Sequence, residues 1–202
     1  MTSAWGEIII EGQVKLPPAK PAAAASARYQ QKSGAVAVPE APSAVVYLEG
    51  PFSNRSPQSP GPATIGQKNF QFVPGILPVQ KGTSIEFPNH DDDYHHVFSY
   101  SKAKEFDLGR YRKNEKPAAV TFDKPGVVKV GCEIHDHMRA IVLVLDTPYF
   151  TKTEADGKYR LVLNDVAPGK YTLKVWVNDK TVLEQPVELK DGSKLQIQFP
   201  ST

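Results

Sequence analysis

Cys132, His135 and Met138 follow one another at intervals of three within Gly131-Cys132-Glu133-Ile134-His135-Asp136-His137-Met138. One short stretch therefore offers a thiolate, an imidazole and a thioether. The only cysteine, the only internal methionine and all five histidines of the chain lie between His90 and Met138. A thiolate selects copper, zinc or an iron–sulfur cluster. One cysteine cannot hold a cluster, and structural zinc sites usually take several. An upstream histidine would complete two imidazoles and a thiolate with a weak axial thioether, the ligand set of a blue-copper electron-transfer site. His137 competes with Met138 for the last place, and its binding would make the site harder and more zinc-like. The second imidazole is expected from His95 or His96. These neighbours sit on a strand-like stretch and point to opposite faces, so only one can enter the site.

Short strands must carry these residues. Thr83–Phe87 and Val97–Tyr100 read as strands on either side of a polar loop, Asn89 to Asp93. Val120–Phe122, the turn Asp123-Lys124-Pro125-Gly126 and Val127–Val130 form a hairpin-like unit that ends at Cys132, and the apolar run Ala140–Leu145 follows the ligand loop. The stretch 101–116 reads as polar and charged, and its cluster of Arg110, Arg112, Lys113 and Lys116 could steer an acidic redox partner. Upstream, 7–16 and 44–49 read as strands, separated by an irregular Pro- and Ala-rich excursion over 17–42. Beyond Thr147-Pro148, period-two alternation marks Lys158–Leu163 and Tyr171–Val177. Two more strands over 182–189 and 195–199 end the chain, and Pro186 assigns the first of them to a sheet edge. No helix-period segment of ten residues is found, so the chain reads as all-β.

Composition limits the function classes. A net charge of +2 over 202 residues argues against nucleic acid as a partner. No run of about eighteen apolar residues is present to span a membrane. No secretory leader is visible at Met1-Thr2-Ser3-Ala4-Trp5. No phosphate loop, nucleophile elbow or carboxylate pair is legible, so the chain reads as a non-enzyme.

The chain resembles the cupredoxins, specifically the plastocyanin and amicyanin group. The likeness rests on Phe70–Val79, on Lys81-Gly82-Thr83-Ser84-Ile85-Glu86-Phe87-Pro88-Asn89, on Tyr94-His95-His96-Val97-Phe98, and on Asp123 through Cys132-x2-His135-x2-Met138. It implies a Greek-key β-sandwich binding one copper ion, Cu(I)/Cu(II), through His95, Cys132, His135 and Met138. His96 stands where the family keeps an asparagine that fastens the two ligand loops, and Gly131 stands where plastocyanins carry an aromatic ring beside the cysteine. The resemblance further implies one-electron transfer with an unidentified redox partner protein, and a periplasmic or otherwise extracytoplasmic location.

The remainder resembles a carboxypeptidase-regulatory-like, transthyretin-type β-sandwich, through Asp156-Gly157-Lys158-Tyr159 and Val166-Ala167-Pro168-Gly169-Lys170-Tyr171-Thr172-Leu173. The expected organisation is a copper domain over 62–146 inserted into a second domain made of 1–50 plus 147–202, with 51–61 as a linker. Two rival readings are a copper chaperone or sensor without electron transfer, and an adhesive or carbohydrate-binding sandwich with an incidental Cys/His cluster.

Overall fold

The computed structural model describes residues 5–18, 40–52, 61–178 and 181–200. β1 (Ile8–Val14) and β2 (Val45–Glu49) open the chain. β3 (Ala63–Thr64), β4 (Gly66–Lys68), β5 (Gln71–Val73), β6 (Ile76–Gln80), β7 (Thr83–Glu86) and β8 (His95–Ser101) follow. Next come β9 (Lys104–Tyr111), β10 (Val120–Phe122), β11 (Gly126–Gly131) and β12 (Arg139–Leu145). β13 (Phe150–Lys152), β14 (Lys158–Leu163), β15 (Gly169–Asn178), β16 (Thr181–Leu189) and β17 (Lys194–Phe199) complete it. The fold is all-β, and among the described residues there is no helix. No helix is therefore long and apolar enough to cross a membrane.

The chain divides into two compact units. Of the described residues, one takes 5–18, 41–52, 147–178 and 181–200, and the other takes 40 and 61–146. In the first unit β14-β1-β17 form one sheet and β13-β2-β15-β16 the other. Alternation explains the packing: Tyr159, Leu161 and Leu163 turn inward from β14, while Lys158, Arg160 and Val162 stay exposed. Ile8 and Ile10 from one sheet meet Val46, Leu48, Leu173 and Val175 from the other in a single buried core. β16 is an edge strand, as Pro186 requires.

In the second unit β6-β12-β11-β8-β9 form a five-stranded sheet, β10-β7-β3 a second, and β4-β5 a hairpin. Ile85, Val120 and Phe122 from the smaller sheet pack with Val97, Val128, Val130, Val142 and Val144 from the larger. This is a β-sandwich core that includes Cys132 and Met138.

Two sequence expectations change. The stretch 101–116 is not simply a polar connection, because β9 occupies half of it and pairs antiparallel with β8. Its half-buried Phe106 and Leu108 alternate with exposed Glu105 and Asp107, a pattern that abundant charge conceals. The short strands β3, β4 and β13 were also not read from the sequence, being two or three residues long. Most of the expected excursion over 17–42 and of the linker over 51–61 lies outside the described residues.

Candidate metal centre

Two loops and one strand build the site. β11 and β12 pair from Gly131↔Arg139 onward, which leaves Cys132 to Met138 as a seven-residue connection. Its second half is closed by the Met138 N–H donating to the His135 carbonyl at 2.9 Å. Gly131 opposes Phe98 on β8, and a Cβ placed there would lie 3.3 Å from the Phe98 ring. Glycine at 131 thus leaves room for the Phe98 ring, which stacks between His96 and Tyr100. β8 begins at His95, so its first residue projects toward the ligand loop.

His95, Cys132 and His135 converge. Their ligand atoms all lie within 4.8 Å of one another and all three residues are buried. The two histidine Nδ1 atoms are 3.1 Å apart, and Cys132 Sγ is 3.7 Å from His135 Nδ1. Two nitrogens at about 2.0–2.1 Å from one ion must lie within about 4.2 Å of each other, and a nitrogen and a thiolate sulfur within about 4.4 Å. Both separations meet that limit, and with the His95 and Cys132 ligand atoms also within 4.8 Å the three donors converge where a single soft or borderline cation could sit. Met138 is 1% exposed and belongs to the core next to Cys132. His137 is half-buried, with its ring centroid 6.1 Å from that of His135, and is outside the three-residue convergence.

His95 and His96 face opposite ways, as strand geometry demands. His95 is fully buried at the convergence. The His96 ring instead lies between carboxylates, with Nε2 at 2.5 Å from Asp107 and Nδ1 at 3.2 Å from Glu133. Arg110 pairs with the same Glu133 at 3.0 Å. The His96 backbone still serves the site, because its N–H donates to the Cys132 sulfur at 3.4 Å.

Surrounding groups set the protonation chemistry. Burial pushes the Cys132 thiol up, but hydrogen bonds from His95 and from the backbone of His96, His135 and Ile134 outweigh it and leave the thiol below its usual range. Burial pulls His95 down, yet its bonds to Cys132 and Asp91 prevail and hold it above an ordinary imidazole. His135 is lowered to about 4, first by burial and then by the charges of His95 and His137. Both shifts, of the Cys132 thiol and of His135, run toward the deprotonated forms a metal requires.

Two participants escaped the sequence reading. Asp91, from the polar loop before β8, accepts from His95 Nε2 at 2.8 Å. Phe70, in the turn between β4 and β5, sets its ring edge against His95 and His135, with centroids 5.6 and 5.0 Å away. His90 is exposed, and Asp92 pairs with Lys113 at 3.3 Å, so this loop gathers no second metal cluster among the described residues. The basic residues are also partly engaged: Arg110 is held by Glu133, and Arg112 lies over the Tyr94 ring at 4.3 Å.

No family model matches the chain, and no curated protein does. Several solved structures are similar over part of it. A copper-containing nitrite reductase from Thermus scotoductus is 26% identical over 43% of this chain, with a TM-score of 0.40, and the match spans 23% of that enzyme's length. A purple cupredoxin from Nitrosopumilus maritimus is 21% identical over 41% of this chain and 99% of its own, with a TM-score of 0.37. Amicyanin from Paracoccus versutus is 18% identical over 50% of this chain and 97% of its own, with a TM-score of 0.38. These neighbours are cupredoxins at low identity and partial coverage. All three scores are below 0.5, so the case for copper rests on the His–Cys–His cluster itself.

Proposed function

We propose that this chain is a type 1 copper protein that carries single electrons, with His95, Cys132, His135 and Met138 as the ligands of one ion. The observation that carries this reading is the burial of two imidazoles and one cysteine sulfur whose ligand atoms all lie within 4.8 Å of one another. Bound there, copper would supply a one-electron Cu(I)/Cu(II) couple. The protein's part is to keep the donors still. The His96 N–H steadies the sulfur, the Met138 N–H closes the turn, and the Phe70 ring covers both imidazoles. Soft thiolate and thioether donors beside two imidazoles suit both oxidation states, so little needs to move between them.

In this reading the second unit is the copper-carrying cupredoxin domain, 62–146, inserted into a transthyretin-type sandwich formed by 1–50 and 147–202. That sandwich would be structural or would dock the carrier. The expected setting is the periplasm, and the partner is a redox protein. A reversible one-electron wave from a protein loaded with one equivalent of copper tests the proposal. Copper that binds but exchanges rapidly, with no reversible wave, would instead indicate a chaperone or sensor.

A further inference from the structure

We propose that Asp91 is a positioning residue for this centre: one carboxylate that fixes both the His95 ring and the Phe70 turn, and strengthens His95 as a donor to copper. The proposal rests on the copper reading for its redox consequence, whereas its geometric half concerns the chain alone.

The carboxylate accepts three hydrogen bonds. Asp91 Oδ2 accepts from His95 Nε2 at 2.8 Å and from the Phe70 N–H at 2.9 Å, and Oδ1 accepts from the Asn69 N–H at 2.7 Å. It is also held from behind. The Asp91 N–H donates to Asn89 Oδ1 at 2.8 Å, and the Asn89 amide donates to the carbonyls of Asp93 and Tyr111 at 2.9 and 3.1 Å. A group anchored on both sides cannot swing away from His95.

The turn it grips is unusual. Asn69 and Phe70 have φ values of 53° and 57°, and together they form the two-residue connection of the β4–β5 hairpin. Asparagine accepts that left-handed region readily, whereas a bulky aromatic residue rarely does. Two successive N–H groups converging on one anion offset the cost. The result is a Phe70 ring laid edge-on against both imidazoles.

The chemistry follows from the hydrogen bond. Nε2 must carry the proton to donate to Asp91, so the nitrogen left to bind copper, once its own proton is displaced, is Nδ1 on the Cys132 and His135 side. A carboxylate on the far nitrogen raises the basicity of the near one. It also adds negative charge beside a buried centre. Both effects favour Cu(II) over Cu(I).

The test combines Asp91→Asn with Asp92→Asn, a neighbour whose side chain is 94% exposed. Asp91→Asn should retain the thiolate-to-copper absorption but weaken Cu(II) at least tenfold more than Cu(I), a rise in reduction potential of about 59 mV or more. Asp92→Asn should leave the potential unchanged. An Asp91→Asn potential equal to that of the parent protein overturns the proposal. Nitrogen NMR of the metal-free parent protein tests the geometry even if the variant does not fold. A protected proton on His95 Nε2 supports it, and an unprotonated Nε2 overturns it. If the parent protein shows no thiolate-to-copper absorption, the copper reading fails on its own, and the NMR result still judges Asp91.

Discussion

The backbone N–H of His96 donates to the Cys132 sulfur at 3.4 Å, while the His96 side chain points away to Asp107 and Glu133. One residue thus serves the site through its main chain and the surface through its ring. His96→Ala should therefore keep the copper absorption. It should lose about 1 kcal/mol of stability, because exposed carboxylates release their hold on the ligand loop at small cost. Denaturant unfolding and a visible spectrum check this together, and loss of the absorption would make the His96 ring a ligand.

Met138 separates packing from ligation. It is 1% exposed, so Met138→Ala should cost about 2–5 kcal/mol through lost burial and the cavity left behind. Met138→Leu keeps the volume and should cost less than about 1.5 kcal/mol. If the thioether is the axial ligand, the leucine variant nonetheless changes the visible spectrum and the potential. An unaltered spectrum would leave Met138 as a core residue only.

How much of this was legible depended on the range of each interaction. Cys132, His135 and Met138 share one loop, so spacing alone brought them into view. The upstream histidine was half legible. Strand alternation required one of His95 and His96 to face inward, and nothing local said which. Asp91 was not legible as a partner, because its role depends on the β4–β5 turn docking 21 and 22 residues away in sequence. β9 was hidden for a different reason. Lys104, Glu105, Asp107 and Arg110 dominate its composition, and the core contacts of Phe106 and Leu108 appear only once β8 is beside it.

The metal-free protein should lose stability on acidification between about pH 6.5 and 4. In that window the unfolded chain protonates His135 at its ordinary value, whereas the folded chain, lowered to about 4, resists the proton. The unfolded state binds more protons, so stability falls as pH falls, by at most about 3 kcal/mol from this group. Asp91 is held below its usual value, chiefly by the Phe70 N–H and His95 bonds against burial, and extends the loss to lower pH. Unfolding midpoints of the metal-free parent protein and His135→Gln should converge across this window. Parallel slopes would contradict the assignment.

Closure of the first unit depends on Gly12. A Cβ there would lie 1.6 Å from the Ile197 carbonyl oxygen, inside the parallel β1–β17 pair. That clash is with backbone and cannot be relieved by a rotamer change. Gly12→Ala should cost about 3 kcal/mol or more. Chemical unfolding measures it, and a stability equal to the parent protein would contradict the pairing.

In the proposed centre Cys132 binds copper as a thiolate between His95 and His135. The most direct test of this is the visible spectrum after adding one equivalent of Cu(II) to the parent protein and to Cys132→Ser. An intense blue charge-transfer absorption is expected in the parent protein and none in the variant. A weakly absorbing parent adduct, or an absorption that survives in Cys132→Ser, would contradict it.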